Sequence, residues 1–136
     1  MSFAQNLSYS AIQVVHNFGA VATVGGSLIA TRLREQATRR KLAYVVLGGW
    51  MTQAISGATF GLVSYWYYRH FPDISGIAIY ALGLKMVCAS LGILLSVIYL
   101  WQCVGWSQIA RNRAWVLSSA LAVTAISAAA FLRWFS

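Results

Sequence analysis

Acidic side chains are nearly missing from this chain: Glu35 and Asp73 stand alone among 136 residues, against ten lysines and arginines. Neither lies inside a long apolar run. A Ser/His/acid set therefore has no acid to draw on there, which excludes nucleophilic hydrolysis of that kind. Cysteine is scarce as well. Cys88 and Cys103 form no CxxC and no haem-attachment motif, so buried, inert thiols are expected. Copper transport needs soft ligands in series. Met51, Met86, Cys88 and Cys103 are scattered, with no Met-x-x-Met or His-rich tract, and copper transport ranks last among the functions considered. Charged residues make up only 9% of the chain, where a soluble domain averages about 25%, so an ordinary soluble domain is excluded. The opening MSFAQNLSYS carries no basic stretch of the signal-peptide kind, and the first helix is expected to be retained.

What the chain has instead is apolar length. Hydrophobic residues reach 60% and the mean hydropathy is +0.67. Four runs, at about 9–31, 42–68, 74–101 and 114–132, each meet the roughly 20 residues a bilayer crossing requires. The alternating polarity of a membrane barrel is absent. The expected fold is all-α, an integral membrane four-helix bundle forming a single transmembrane domain over residues 1–136. The small size implies membrane-protein partners or a homo-oligomer, in addition to the lipid bilayer itself.

The net charge of +8 is not spread over a face as in a nucleic-acid-binding protein, and no nucleic acid is expected as a partner. Arg32, Arg34, Arg39, Arg40 and Lys41 are expected in the first connection, and Arg111 and Arg113 in the third. Both connections fall on one side of a four-span protein, and that side is cytoplasmic by the positive-inside rule. The N-terminus, the turn Arg69-His70-Phe71-Pro72-Asp73 and the C-terminus then face outward. Trp66, Tyr67, Tyr68, Trp101, Trp106, Trp115 and Trp134 stand near the expected span ends, as an aromatic belt does.

Each of the first three runs has a small or polar stripe at helical spacing. These are His16, Gly19, Thr23 and Gly26; then Gly49, Gln53, Ser56, Gly57 and Gly61, the last two a GxxxG pair; then Ala81, Lys85, Cys88 and Gly92, with Ser96 close by. Small residues let membrane helices approach closely, and packing accounts for most of these glycines. It does not account for His16 or Lys85. An ionisable side chain in hydrocarbon is costly, and at about 1.5 Å rise per residue the two lie on the order of 10 and 16 Å from the outer side. Their heads can border one cavity, with no carboxylate in any run to pair with them.

A neutral intramembrane imidazole is an axial ligand for haem iron, and a nearby lysine can pair with a haem propionate. His16 is thus the candidate metal ligand, and His16 with Lys85 the candidate cofactor-binding set for haem b. The second axial position stays open: His70, in a turn, is a weak candidate, Lys85 is another, and a single-ligand site is a third option. In the alternative, His16 bonds a neighbouring side chain such as Gln53 or Asn17, Lys85 reaches toward the surface, and the chain is a non-catalytic packing subunit.

The first run, with His16 followed by Gly26 and then Arg32, resembles the opening helix of small membrane proteins of the HemJ-type protoporphyrinogen oxidase and CopD-like copper-resistance group. The likeness continues in RRKLAYVVLGGWMTQAISG and in YALGLKMVCASLGILL, where Lys85 matches the lysine opening the group's third helix. It covers three of the four runs; the fourth, RAWVLSSALAV, lies outside it. The resemblance implies a bacterial inner-membrane protein able to hold b-type haem, with His16 as ligand and Arg32 and Lys85 as supporting basic residues. It implies electron transfer, either within a larger redox complex or as oxidation of a porphyrin precursor. Arg32 falls at the opposite end of its helix from His16 and is expected to set topology rather than line the same pocket.

Overall fold

The computed structural model describes residues 2–135, which form four α-helices and no strand among the described residues. Helix α1 spans Phe3–Arg32, α2 Gln36–Tyr68, α3 Ile77–Gln102 and α4 Gln108–Phe135, with a single 3-10 turn at Cys103–Gly105 between the last two. Helices α1, α2 and α4 overrun their apolar runs by nearly two turns, because flanking arginines, lysine and glutamines are good helix formers and only a few positions stop the chain. Ser2 caps α1, its hydroxyl accepting from the Gln5 N–H at 3.2 Å, and the Ser107 hydroxyl does the same for Ala110 N–H at the start of α4. Helix α2 ends where Arg69 takes a left-handed conformation (φ 60°) and its N–H bonds the Tyr65 carbonyl at 2.8 Å. Gly76, at φ 55°, precedes α3, so α3 starts at Ile77 rather than near Ile74.

The long helices relocate the arginines. The first connection is only Leu33–Glu35, and Arg39, Arg40 and Lys41 belong to the opening turns of α2; Arg111 and Arg113 likewise belong to α4. Two of them close the preceding helix. Arg39 donates Nε–H to the Ala30 carbonyl near the end of α1 at 3.1 Å. Arg111 donates to the Cys103 and Val104 carbonyls just past α3 at 2.7 and 3.1 Å. Carbonyls at helix ends lack intrahelical partners, and a guanidinium from the next helix supplies them.

The helices pack in a ring, α1 most closely on α2 and α3 on α4, with α1–α4 and α2–α3 closing it. The packed core lies toward the arginine end. Trp50 is fully buried there, flat against Gly92, the Ser27 and Ser118 hydroxyls bond at 2.8 Å, and Tyr99 meets the Trp115 ring edge-on at 5.1 Å. Outward faces carry Phe18, Val21, Leu84, Leu91, Val116 and Ile126, all exposed. Small and polar residues inside with large apolar ones outside is the arrangement of helices in lipid. Three helices, α1, α3 continued through the 3-10 turn, and α4, are long and apolar enough to cross a membrane. Helix α2 has the length, but Gly48, Gly49, Thr52, Gln53, Ser56 and Thr59 dilute its hydropathy, and it falls short of the apolarity expected of it.

Candidate functional site

The α1 stripe His16, Gly19, Thr23 and Gly26 faces α2. A Cβ on Gly19 would stand 3.0 Å from the Gly49 carbonyl oxygen, and one on Gly49 would stand 2.9 Å from that of Gly19. With no side chain at either position the two backbones touch, and the polar residues on either side reach one another. Gln53 donates its amide N–H to the Thr23 hydroxyl at 3.0 Å. Further toward the start of α1, His16 Nδ1 lies 2.7 Å from Ser56 Oγ. The GxxxG pair behaves differently from expectation. Gly57 and Gly61 have nothing within 4 Å of where a Cβ would stand, because they lie off the α2 face that meets α1.

His16 and Lys85 come together. Lys85 Nζ lies 2.7 Å from His16 Nε2, and both side chains are half-buried. The direction of the hydrogen bonds follows from Ser56. Its hydroxyl proton goes to the Thr52 carbonyl, 2.6 Å away, so its oxygen accepts from Nδ1–H of the imidazole. Nε2 then carries the lone pair, and an N–H of Lys85 Nζ donates to it. The chain runs Lys85, His16, Ser56, Thr52, with at most one positive charge on the two bases. Two donors could not face each other at this distance. No carboxylate takes part: Glu35 accepts from Thr38 at the arginine end, and Asp73 is exposed in the α2–α3 connection.

The other residues singled out from the sequence lie elsewhere. Gln53 serves Thr23, and Asn17 accepts from Gln13 at 2.8 Å, so neither is the partner of His16. His70 is exposed, its Nδ1 2.9 Å from the Phe71 carbonyl oxygen. Arg32 is exposed at the far end of α1. Cys88 and Cys103 are free and buried, while Met51 and Met86 face outward. Among the described residues, no three His, Cys, Asp or Glu side chains gather to hold a metal ion.

Two residues carry more than their sequence context signalled. Ser56 looks like one more small packing residue, yet it fixes which imidazole nitrogen holds the proton. Arg39 looks like one more topology charge, yet it is only 2% exposed. The signal for Arg39 was periodicity: the buried face of α2, Trp50, Val46 and Ala43, reaches Arg39 when continued backward at helical spacing. Comparison with protein-family models, with curated proteins and with solved structures finds no match.

Proposed function

We propose that this is a four-span membrane protein that binds haem b on His16 and works in electron transfer, as a small subunit of a larger membrane redox complex. The observation that carries the reading is the Nδ1–H bond to Ser56. Metal-bound histidines are commonly held by their other ring N–H in this way, which fixes the tautomer and aims the remaining lone pair. Bound haem supplies one-electron chemistry; the chain supplies an oriented imidazole and a cation. His16 Nε2, which now accepts from Lys85, would be the nitrogen that holds the iron, and Lys85 would supply the cation beside it. The likeness of the first three helices to the HemJ and CopD-like group supports the same residues.

Chain connectivity supports the four-span topology. Helices α1 and α3 are both apolar enough to cross, and α1 reaches α2 through three residues. Helix α2 must then return across the bilayer for α3 to begin on the starting side. Its Gln53 and Ser56 are turned to Thr23 and His16 of α1, which lowers the cost of that crossing. The arginine end is assigned to the cytoplasm by the positive-inside rule, with both termini outside a bacterial inner membrane.

Spectroscopy of the full chain, purified from membranes after haem supplementation, tests the proposal. A Soret band and a pyridine-haemochrome signal, lost in His16→Ala and weakened in Ser56→Ala, are expected. Their absence from the wild-type protein overturns it. The occupation of Nε2 by Lys85 favours a second reading, a cofactor-free packing subunit in which the pair ties α1 to α3. That reading predicts that His16→Leu leaves both assembly and activity of the host complex intact. The narrower enzymatic version, oxidation of a porphyrin precursor, predicts rescue of a haem-synthesis-deficient strain that fails with His16→Ala or Lys85→Ala.

A further inference from the structure

A second basic site lies at the opposite end of α1 from His16. The end of α1, the start of α2 and the start of α4 enclose an open cavity of about 530 Å³, walled by Thr31, Arg32, Arg34, Arg39, Gln108 and Asn112 among others. No carboxylate lines it. Glu35, the acid nearest in sequence, is turned to the Thr38 hydroxyl. Thr31 is spent on the Leu28 carbonyl at 2.6 Å, and the Gln108 amide donates to Asn112 Oδ1.

Arg39 distinguishes this cavity from an ordinary cluster of surface charge. It lines the cavity wall though only 2% exposed; its Nε–H is taken by Ala30, and its Nη1, itself closed off from solvent, has no hydrogen-bond partner. A guanidinium keeps its charge under all ordinary conditions, and a buried charge without a counter-ion is costly. Two exposed guanidiniums, Arg32 and Arg34, share the same wall. Three fork-shaped donors without an acid match an oxyanion with several acceptor oxygens. The cavity also sits at the ends of apolar, membrane-crossing helices, which is where lipid headgroups lie.

We propose that this cavity binds a phosphate group, with Arg39 as the buried anchor and Arg32 and Arg34 as the outer clamp. The phosphate belongs to the headgroup of an anionic glycerophospholipid or to free phosphate. None of these residues touches the His16 site, so the proposal stands apart from the haem reading.

The test uses the full chain in detergent micelles, with native mass spectrometry and thermal unfolding as readouts. Phosphatidylglycerol, phosphatidylcholine and inorganic phosphate are added separately. Retention of phosphatidylglycerol in preference to phosphatidylcholine, with a raised Tm, assigns the site to an anionic lipid. An equal rise in Tm with inorganic phosphate alone assigns it to the free ion. In either case the double variant Arg32→Gln/Arg34→Gln, both exposed and therefore compatible with folding, weakens binding about tenfold or more, and Arg39→Gln abolishes it. The proposal is overturned if neither phosphatidylglycerol nor inorganic phosphate binds the wild type, if phosphatidylglycerol is held no better than phosphatidylcholine and phosphate does not bind, or if the probe that binds the wild type binds the double variant as tightly.

Discussion

Lys85 and His16 meet at 2.7 Å although their helices, α3 and α1, stand across the ring from each other rather than side by side. The contact is possible because lysine has a long stem. On the α1–α2 side, Gly19, Gly49 and Ser56 bring the imidazole close to α2 and fix its orientation. At least one proton fewer than full protonation of both bases is a requirement of the geometry, since two N–H donors cannot face each other at this distance.

This arrangement predicts the Nδ1–H tautomer for His16. Nitrogen chemical shifts of ¹⁵N-histidine protein, with His70→Gln removing the second histidine, should show a protonated Nδ1 and an unprotonated Nε2. Ser56→Ala removes the acceptor and should shift the signals toward an averaged ring. A doubly protonated ring in the wild type at neutral pH would contradict the hydrogen-bond order.

The α1–α2 contact predicts a sharp difference between glycines on one helix. Gly49→Ala places a methyl 2.9 Å from the Gly19 carbonyl oxygen and from Thr23, and should destabilise the fold by about 1–3 kcal/mol. Gly57→Ala and Gly61→Ala meet open space and should be neutral, or stabilising by up to about 1 kcal/mol through helix propensity. Denaturation in SDS-containing mixed micelles, followed by circular dichroism, measures both.

Gly92 and Trp50 make a compensating pair. A methyl at Gly92 overlaps the Trp50 indole, which is fully buried and has no room to swing away. Gly92→Ala should therefore cost about 1–3 kcal/mol. In a Trp50→Leu background the same substitution should cost far less. A double-mutant cycle on thermal unfolding should give a coupling of about 1–3 kcal/mol; additive effects would contradict the contact.

Arg69 closes α2 at φ 60°, a conformation that an L side chain adopts at a cost of roughly 1–2 kcal/mol. Arg69→Gly relieves that cost and gives up only a cation–π contact with Trp66, 5.8 Å from guanidinium to ring centroid. A rise in Tm is expected, equivalent to a net gain of about 0.5–1 kcal/mol.

Several elements were legible without the structure because they depend on local pattern. The stripe from His16 to Gly26 does face another helix, and the turn at Arg69 does end α2. Gly49 and Gly57 show where pattern stops. Both are glycines on the same helix at plausible packing positions, and only the rotation of α2 against α1 tells them apart. Hydropathy also sets the starts of α1, α2 and α4 too far inward and that of α3 too far outward, since it registers where apolarity stops, whereas a helix stops where capping or a positive φ intervenes. By hydropathy Arg39 and Arg111 fall in the connections, yet each lies in a helix and donates to carbonyls at or just past the end of the helix before it.

Composition and periodicity by themselves determined that the chain is helical, that its helices are long, that the large apolar side chains need a non-aqueous surface, and that His16 and Lys85 have no acid within the apolar runs. Those properties follow from residue types and a 3.6-residue repeat. Only the tertiary structure decided which polar groups meet. Lys85 joins His16 across the ring, Ser56 sets the imidazole tautomer, and Arg39 is buried beside a cavity with one nitrogen unpartnered. The residues in these contacts are separated by up to 69 positions in the chain, and their meeting depends on helix rotation, depth and close approach, which no single segment encodes.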